Sequence, residues 1–244
     1  MDRPLLFVPG YRGLASHGRQ LARSLGQDDF AAVYREGHEA AFRAAVRSNP
    51  PGTAYAIQFS DRKGSFTEQA DELTAALRIL REETGVESDV VAHSMGGLVT
   101  REHLDRGEDD IHDLVMLGVP NHGVALARGA DCLRLGWLVG EGPDSFRDDA
   151  PELERLNEGW VEQRQKLDQV VSVSGTRLPV VVSRFPFVAG GDGAVAAESV
   201  SLPGVEQYSV SELDPDVGRL GEHHRALLSN PRVLALVEGV LTGP

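Results

Sequence analysis

Short apolar runs alternate with stretches of helical periodicity along most of the chain. The apolar runs have the length and the content of β-branched and aromatic residues that are typical of buried strands. They cover residues 5–8, 55–59, 90–92, 111–117, 170–173 and 205–210. A parallel strand pair needs a crossover connection, and a helix provides one. The alternation therefore predicts an α/β fold with a mostly parallel sheet that is covered by helices on both faces.

Several helix boundaries are marked by residues that start or stop helices. Ser65 and Glu68 have the spacing of a capping box, for a helix that continues to about Thr84 and is ended by Gly85. Further helices are predicted at about 14–25, 39–47, 95–104 and 224–241. These helices supply the crossovers that a parallel sheet requires.

The alternation breaks between residues 124 and 168. This stretch has no strand pattern but contains two apolar helical segments, 126–138 and 153–167, separated by a Gly-Glu-Gly-Pro turn at 140–143. An insertion of this kind between two strands predicts a helical lid or cap at the carboxyl edge of the sheet. The chain as a whole, 1–244, is interpreted as one domain that contains this lid.

Residues 89–101, with the sequence D-V-V-A-H-S-M-G-G-L-V-T-R, are the strongest chemical signal. A β-branched strand passes abruptly into a helix, which places Ser94 at the apex of a sharp turn. Ala92 and Gly96 are small enough for the strand and helix to pack closely beside it. A serine hydroxyl attacks an acyl group only with help from a base, a carboxylate and donors for the oxyanion. Ser94 is therefore the predicted nucleophile.

Candidates for the base and the acid follow later strands. Asp192 lies in a glycine-flanked loop, and adjacent histidines occupy positions 223 and 224. The chain order Ser, Asp, His is the one found in the α/β-hydrolase fold. Only one of the two adjacent histidines can face Ser94.

The motifs resemble those of small bacterial lipases and esterases of the α/β-hydrolase superfamily. The A-H-S-M-G turn at 92–96 is similar to their A-x-S-x-G elbow, in which alanine replaces the usual first glycine. The segment L-G-V-P-N-H-G at 117–123 resembles L-G-T-P-x-H-G, residues 148–157 resemble a cap segment ending in L-x-x-L-N, and 224–228 resemble H-x-x-L-L. The similarity covers nearly the whole chain.

The resemblance implies a role for each candidate. Ser94, Asp192 and His224 would form the catalytic triad, with the H-x-x-L-L spacing selecting His224 over His223. The alternative for Asp192 is a turn aspartate, in which case Glu198, Asp214 or Asp216 takes its role. The oxyanion donors would be the backbone N–H groups of Tyr11 and Met95. The loop before Tyr11 departs from the family, because Pro9-Gly10 stands where His-Gly is usual.

The amino-acid composition excludes or disfavours several classes of binding partner. The formal net charge of −13, without a Lys/Arg cluster, disfavours nucleic acid as a partner. Cys132 is the only cysteine, so an intrachain disulfide and a zinc-thiolate site are excluded. No cofactor is expected, and no metal ion either, since no His/carboxylate cluster beyond the residues already assigned has ligand spacing in the sequence. No apolar run is long enough to cross a bilayer, and the start of the chain has no signal-peptide pattern, so we expect a cytoplasmic protein, or a secreted one if the chain is a trimmed mature form.

The predicted reaction is cleavage of a small-molecule carboxylic ester through an acyl-serine intermediate. The alternatives are a thioesterase, an acyltransferase or a lactonising enzyme with the same triad, and a non-catalytic binding protein of the hydrolase fold. Four apolar residues of the predicted lid are candidates for substrate contact: Trp137, Leu138, Leu156 and Trp160. Packing against the helices of the sheet is the alternative role for each of them.

Overall fold

A parallel sheet forms the centre of the molecule, in a computed structural model that describes residues 1–124, 150–176, 178–182, 187–192, 195–210 and 224–243. The strands are β1 (Leu5–Val8), β2 (Val33–Tyr34), β3 (Ala54–Ile57), β4 (Ser88–His93), β5 (Ile111–Leu117), β6 (Val170–Gly175), β7 (Leu178–Val182), β8 (Phe187–Gly191) and β9 (Glu206–Val210). Seven of them form one sheet in the order β2-β3-β1-β4-β5-β6-β9. Every pairing in this sheet is parallel, whereas β7 and β8 form a separate antiparallel hairpin.

Helices cover both faces of the sheet. They are α1 (Arg19–Ser24), α2 (Glu39–Ser48), α3 (Phe66–Thr84), α4 (Met95–Asp105), α5 (Pro151–Glu158), α6 (Trp160–Gln165), α7 (Ala197–Val200) and α8 (Pro231–Thr242). Alternate residues of β1 enter different cores: Leu6 packs with α3 and α4 on one face, and Phe7 packs with α1 and α8 on the other. The predicted α/β architecture is confirmed. No described helix is both long enough and apolar enough to cross a membrane.

The capping box before α3 is confirmed in detail. The Glu68 backbone N–H donates to the Ser65 hydroxyl at 3.2 Å, and the Ser65 backbone N–H donates to the Glu68 carboxylate at 2.8 Å. Gly85 ends the helix with φ of 77°, a conformation that glycine adopts without a steric penalty. These signals are local, so the sequence alone was enough to place both ends of the helix.

Three elements differ from the sequence prediction. The edge strand β2 was not predicted because it is only two residues long. The β7–β8 hairpin was not predicted, and Pro179 lies within the apolar run of β7. The predicted helix at 224–241 is interrupted after a short turn at 224–226. Asn230 starts α8 instead, and its side chain accepts from the Arg232 N–H at 2.9 Å. Pro231 occupies the first helical position, where its missing N–H costs nothing.

The predicted lid is only partly within the described residues. Residues 125–149 lie outside them, and with them the first helical segment of the prediction. The second segment forms α5 and α6, which pack beside α4. The lid itself remains a prediction.

The start of α4 lies unusually close to the end of β1. A Cβ atom on Gly96 would lie 2.6 Å from the backbone oxygens of both Val8 and Pro9. Because backbone atoms cannot rotate away as a side chain can, this approach requires glycine. The contact fixes the position of α4 relative to β1 and the loop that follows it.

We expect Gly96→Ala to lower the free energy of unfolding by about 1–3 kcal/mol, because the added methyl group overlaps backbone atoms. Urea denaturation at constant pH measures the change. Gly239→Ala in α8 is the matched control: no atom lies within 4 Å of the added Cβ, so we expect stabilisation by about 0.5–1 kcal/mol. Equal stability of Gly96→Ala and the wild type would contradict the close approach.

Candidate active site

Ser94 lies at the strained turn between β4 and α4. Its φ of 56° and ψ of −132° are unusual for serine, and Arg12 is the only other described non-glycine residue with positive φ. Such strain costs about 1–3 kcal/mol and persists only where the surroundings enforce it. The Ser94 N–H donates to the Leu117 carbonyl at 2.9 Å, which ties the turn to β5. The hydroxyl is thereby held at the carboxyl edge of the sheet.

Asp192 and His224 form a buried pair at the same edge. His224 Nδ1 lies 2.6 Å from Asp192 Oδ2. The other oxygen, Oδ1, accepts from the Val195 N–H at 2.8 Å. These two contacts fix the carboxylate, which in turn orients the imidazole.

Two glycines make room for this pair. A Cβ on Gly118 would lie 2.8 Å from His224 Cε1, and one on Gly175 would lie 2.6 Å from Asp192 Cβ. Gly118 follows β5 directly, and Gly175 ends β6. His224 therefore packs directly against the end of β5, and Asp192 against the end of β6. The sequence analysis did not predict these contacts.

Ser94 and His224 line one cleft, with a volume of about 150 Å³. The other lining residues are Gly10, Tyr11, Arg12, Gly13, His17, His93 and Arg225. The structure thus brings all three predicted triad residues to one place. His223, and the alternative acids Asp214 and Asp216, lie outside the described residues. Glu198 is described but exposed, on α7.

Other hydrogen bonds anchor the loop that carries Tyr11, since Pro9 has no backbone N–H to donate. Arg12 N–H donates to the Arg62 carbonyl at 2.8 Å. Gln58, at the end of β3, receives the Ala15 N–H at 3.0 Å and donates to the Gly13 carbonyl at 3.3 Å. A buried polar residue at the end of an apolar strand was the signal for Gln58, which the sequence analysis missed.

None of the four predicted substrate residues is seen at the cleft that contains Ser94, in the part of the chain that the structure describes. Trp137 and Leu138 lie outside the described residues. Leu156 and Trp160 are buried in the core, and neither lines the cleft at Ser94. Trp160 donates from Nε1 to the Pro203 carbonyl at 2.8 Å, and the Arg101 guanidinium lies 5.1 Å from its ring centroid. Packing, the alternative role given from the sequence, accounts for the described contacts of both residues, and substrate contact stays a prediction.

Arg101 connects the helix after Ser94 to the surrounding loops. It is fully buried, and burial lowers its pKa to about 9. It donates to Asn121 Oδ1 at 3.0 Å, to Gln163 Oε1 at 3.1 Å and to the Leu156 carbonyl at 2.8 Å. Asn121 donates onward to the Val200 carbonyl at 2.8 Å. This network braces α4, the loop after β5 and α7 against one another.

His93 contacts both the backbone and the ring of His224. Its Nε2 lies 3.0 Å from the His224 carbonyl oxygen, and the two rings are 4.7 Å apart. Burial, followed by the neighbouring His224, lowers the pKa of His93 to about 3. A neutral His93 donates its Nε2–H to that carbonyl and so fixes the backbone at His224.

No protein-family model and no curated protein matches the sequence. Among solved structures, Bacillus licheniformis lipase BlEst2 in its mature form is 17% identical with a TM-score of 0.67, over 98% of this chain and 92% of that chain. Phospholipase PlaB from Legionella pneumophila in complex with thio-NAD is 16% identical with a TM-score of 0.68, over 99% of this chain but only 58% of that chain. A lipase-esterase related protein from Clostridium acetobutylicum is 11% identical with a TM-score of 0.54, over 98% of this chain and 94% of that chain. The chain has the α/β-hydrolase fold of these proteins.

We expect acid to destabilise the protein through His93. In the unfolded chain its pKa returns to about 6.5, so below pH 6.5 the unfolded state binds more protons than the folded state. The free energy of unfolding therefore falls as the pH decreases from 6.5 toward 3, by up to about 1.4 kcal/mol per pH unit.

Urea denaturation of the wild type and of His93→Gln at pH 6.5 and 5.0 measures this dependence. Glutamine keeps a donor for the His224 carbonyl but does not titrate, so its loss of stability over this range should be smaller. His38→Gln, at an exposed position, should retain the wild-type dependence. The same loss in all three proteins would refute the assignment to His93.

Proposed function

We propose that this protein hydrolyses carboxylic esters through an acyl-serine intermediate, with Ser94 as nucleophile, His224 as general base and Asp192 as the acid that orients it. The observation that carries the proposal is the 2.6 Å contact between Asp192 and His224, since His224 lines the same cleft as Ser94. A strained serine beside a carboxylate-oriented imidazole is the arrangement that activates a hydroxyl for acyl transfer.

The geometry of the pair supports a division of work between the two imidazole nitrogens. Asp192 binds Nδ1 and stabilises the imidazolium. Proton exchange with Ser94 then falls to Nε2. As Ser94 Oγ attacks the ester carbonyl carbon, its proton passes to His224, and the carbonyl oxygen becomes an oxyanion. Collapse of this tetrahedral intermediate breaks the bond to the alkoxide, which leaves with the proton from His224.

Hydrolysis of the acyl-serine repeats these steps with water. His224 takes a proton from water, the hydroxide attacks the acyl carbon, and Ser94 Oγ leaves with that proton. The net reaction converts ester and water to acid and alcohol. The proposed oxyanion donors are the N–H groups of Tyr11, in a loop anchored by Gln58, and of Met95, the first residue of α4. One such donor contributes about 3 kcal/mol to transition-state stabilisation.

The rim of the cleft favours an ester that carries a negative charge. Arg12 and Arg225 both line the cleft, and both are exposed. Burial, then the charges of Arg225 and Arg62, lower the pKa of His17 in the same cleft. This local positive field contrasts with a chain whose net charge is −13. An anionic group on the acyl or alcohol part of the substrate is therefore part of the proposal.

We expect Ser94→Ala to reduce the hydrolysis of p-nitrophenyl butyrate and palmitate by about 10⁴-fold or more, because the nucleophile is lost. Asp192→Asn should reduce it by about 10⁴-fold, since the imidazole then takes the wrong tautomer. Initial rates of p-nitrophenol release measure both. The butyrate-to-palmitate ratio distinguishes an esterase from a lipase with a deep acyl pocket.

Ser48→Ala is the control for these variants, because Ser48 is exposed at the end of α2. It should hydrolyse both esters at the wild-type rate. A fluorophosphonate probe should add once to the wild type and to Ser48→Ala, but not to Ser94→Ala, as read by intact mass. A labelled wild type that turns over neither ester would exclude general ester hydrolysis and favour a selective thioesterase, acyltransferase or lactonising enzyme. A folded wild type that takes up no probe would refute a serine nucleophile.

We expect Arg12→Gln and Arg225→Gln to reduce kcat/KM for mono-4-nitrophenyl glutarate by about two- to fivefold, relative to neutral p-nitrophenyl butyrate. Removal of one exposed charge near the substrate has an effect of this size, and it should shrink in high salt. Arg35→Gln, at an exposed position that does not line the cleft, is the control. An unchanged ratio in both cleft variants would show that the arginines do not select substrate charge.

A further inference from the structure

A second polar cluster lies at the opposite, amino edge of the sheet. Asp89 is near the start of β4, and His112 and Asp113 are near the start of β5. They line a cavity of about 190 Å³ together with Arg3, Gln169 and residues from both ends of the chain. Ser94 lies five positions after Asp89 along the chain, about 16 Å at 3.3 Å per residue. The cluster is therefore distinct from the candidate active site.

A β-bulge brings the three side chains together. Ser88 pairs with Ile111 and Val90 with Leu114, so one residue of β4 lies opposite two residues of β5. Consecutive residues of a regular strand point to opposite faces, but a bulge redirects one of them. His112 and Asp113 can thus both approach Asp89.

Two polar atoms of the cluster form no hydrogen bond within the part of the chain that the structure describes. Asp89 is only 3% exposed, yet its Oδ1 has no hydrogen-bond partner among the described residues, and the same is true of His112 Nδ1. A buried carboxylate oxygen without a partner is costly. Both residues line the cavity, so a ligand bound there can contact these two atoms.

The distances from His112 to the two carboxylates are close to those between ligands of one metal ion. His112 Nδ1 lies 3.1 Å from Asp113 Oδ1 and 3.8 Å from Asp89 Oδ1, and ligand atoms of all three residues lie within 4.8 Å of one another. Ligand atoms of a tetrahedral zinc site, with bonds of about 2.0–2.2 Å, are about 3.4 Å apart. Asp113 Oδ1 also accepts from the Gln169 N–H at 3.0 Å, which holds the ligand in place as outer-shell contacts do.

We propose that Asp89, His112 and Asp113 bind a divalent transition-metal ion, with Zn²⁺ the preferred ion and water as the fourth ligand. One imidazole with two carboxylates suits zinc better than Ca²⁺ or Mg²⁺, which prefer oxygen ligands alone. His112 is partly exposed, so the ion can enter through the cavity. The bound ion would cross-link the starts of β4 and β5, and would stabilise the fold without taking part in chemistry at Ser94.

Calorimetric titration of the metal-stripped full chain with ZnCl₂ at pH 7.5 tests the site. We expect one ion per chain and a rise in Tm that depends on zinc concentration. Asp89→Asn and His112→Gln should each weaken binding by about tenfold or more and abolish most of the Tm rise. His38→Gln, the matched histidine control, should behave as the wild type. CD spectra establish that each variant is folded.

Each other outcome is decisive. Equal zinc affinity in the wild type and in His112→Gln would place the ion elsewhere, for example on the histidines of the cleft, and would overturn the proposal. So would the absence of saturable binding by the wild type. Tighter binding of CaCl₂ than of ZnCl₂ would refute the transition-metal assignment. None of these readouts requires ester hydrolysis, so the site stands or falls independently of the proposed function.

Discussion

The approach of α4 to the end of β1 is the constraint on which the rest of the site depends. Gly96 permits backbone contact with Val8 and Pro9, and the chain passes from β4 to α4 through the positive φ of Ser94. The serine is thus strained because the helix is held close, and the helix is held close by burial on the sheet. Core packing supplies the energy that a strained residue requires.

Parallel topology then collects the remaining groups around that serine. The loops after β1, β4 and β5 leave the same edge of the sheet, so Tyr11, Ser94 and Gly118 become neighbours although the chain separates them widely. Asp192 follows the β7–β8 hairpin, which carries the acid back to the end of β6 at Gly175. His224 completes the set from the last part of the chain. Long-range order of this kind comes from the sheet, since no local motif specifies it.

The sequence predicted what is encoded locally. The turn at Ser94, the capping box at Ser65 and the main strands each depend on a few adjacent residues, and all were located correctly. The edge strand at 33–34 and the interruption before Asn230 were missed because their signals are short. The hairpin was missed although β7 is apolar, since Pro179 lies within its run. Trp160 shows a different limit: an apolar residue at helical spacing fits a core as well as a substrate pocket. Its burial and the Arg101 guanidinium beside its ring become evident only in the structure.

Buried carboxylates at the two edges of the sheet differ in their hydrogen-bond partners. At the carboxyl edge, one oxygen of Asp192 accepts a hydrogen bond from the Val195 N–H, and the other contacts His224 Nδ1. Its charge therefore orients an imidazole. At the amino edge, Asp89 Oδ1 has no hydrogen-bond partner among the described residues, although Asp89 is just as buried. In the first situation, both carboxylate oxygens have a partner within the protein. A carboxylate in the second situation has an oxygen free to bind a further partner, and the adjacent imidazole and second carboxylate favour a metal ion as that partner.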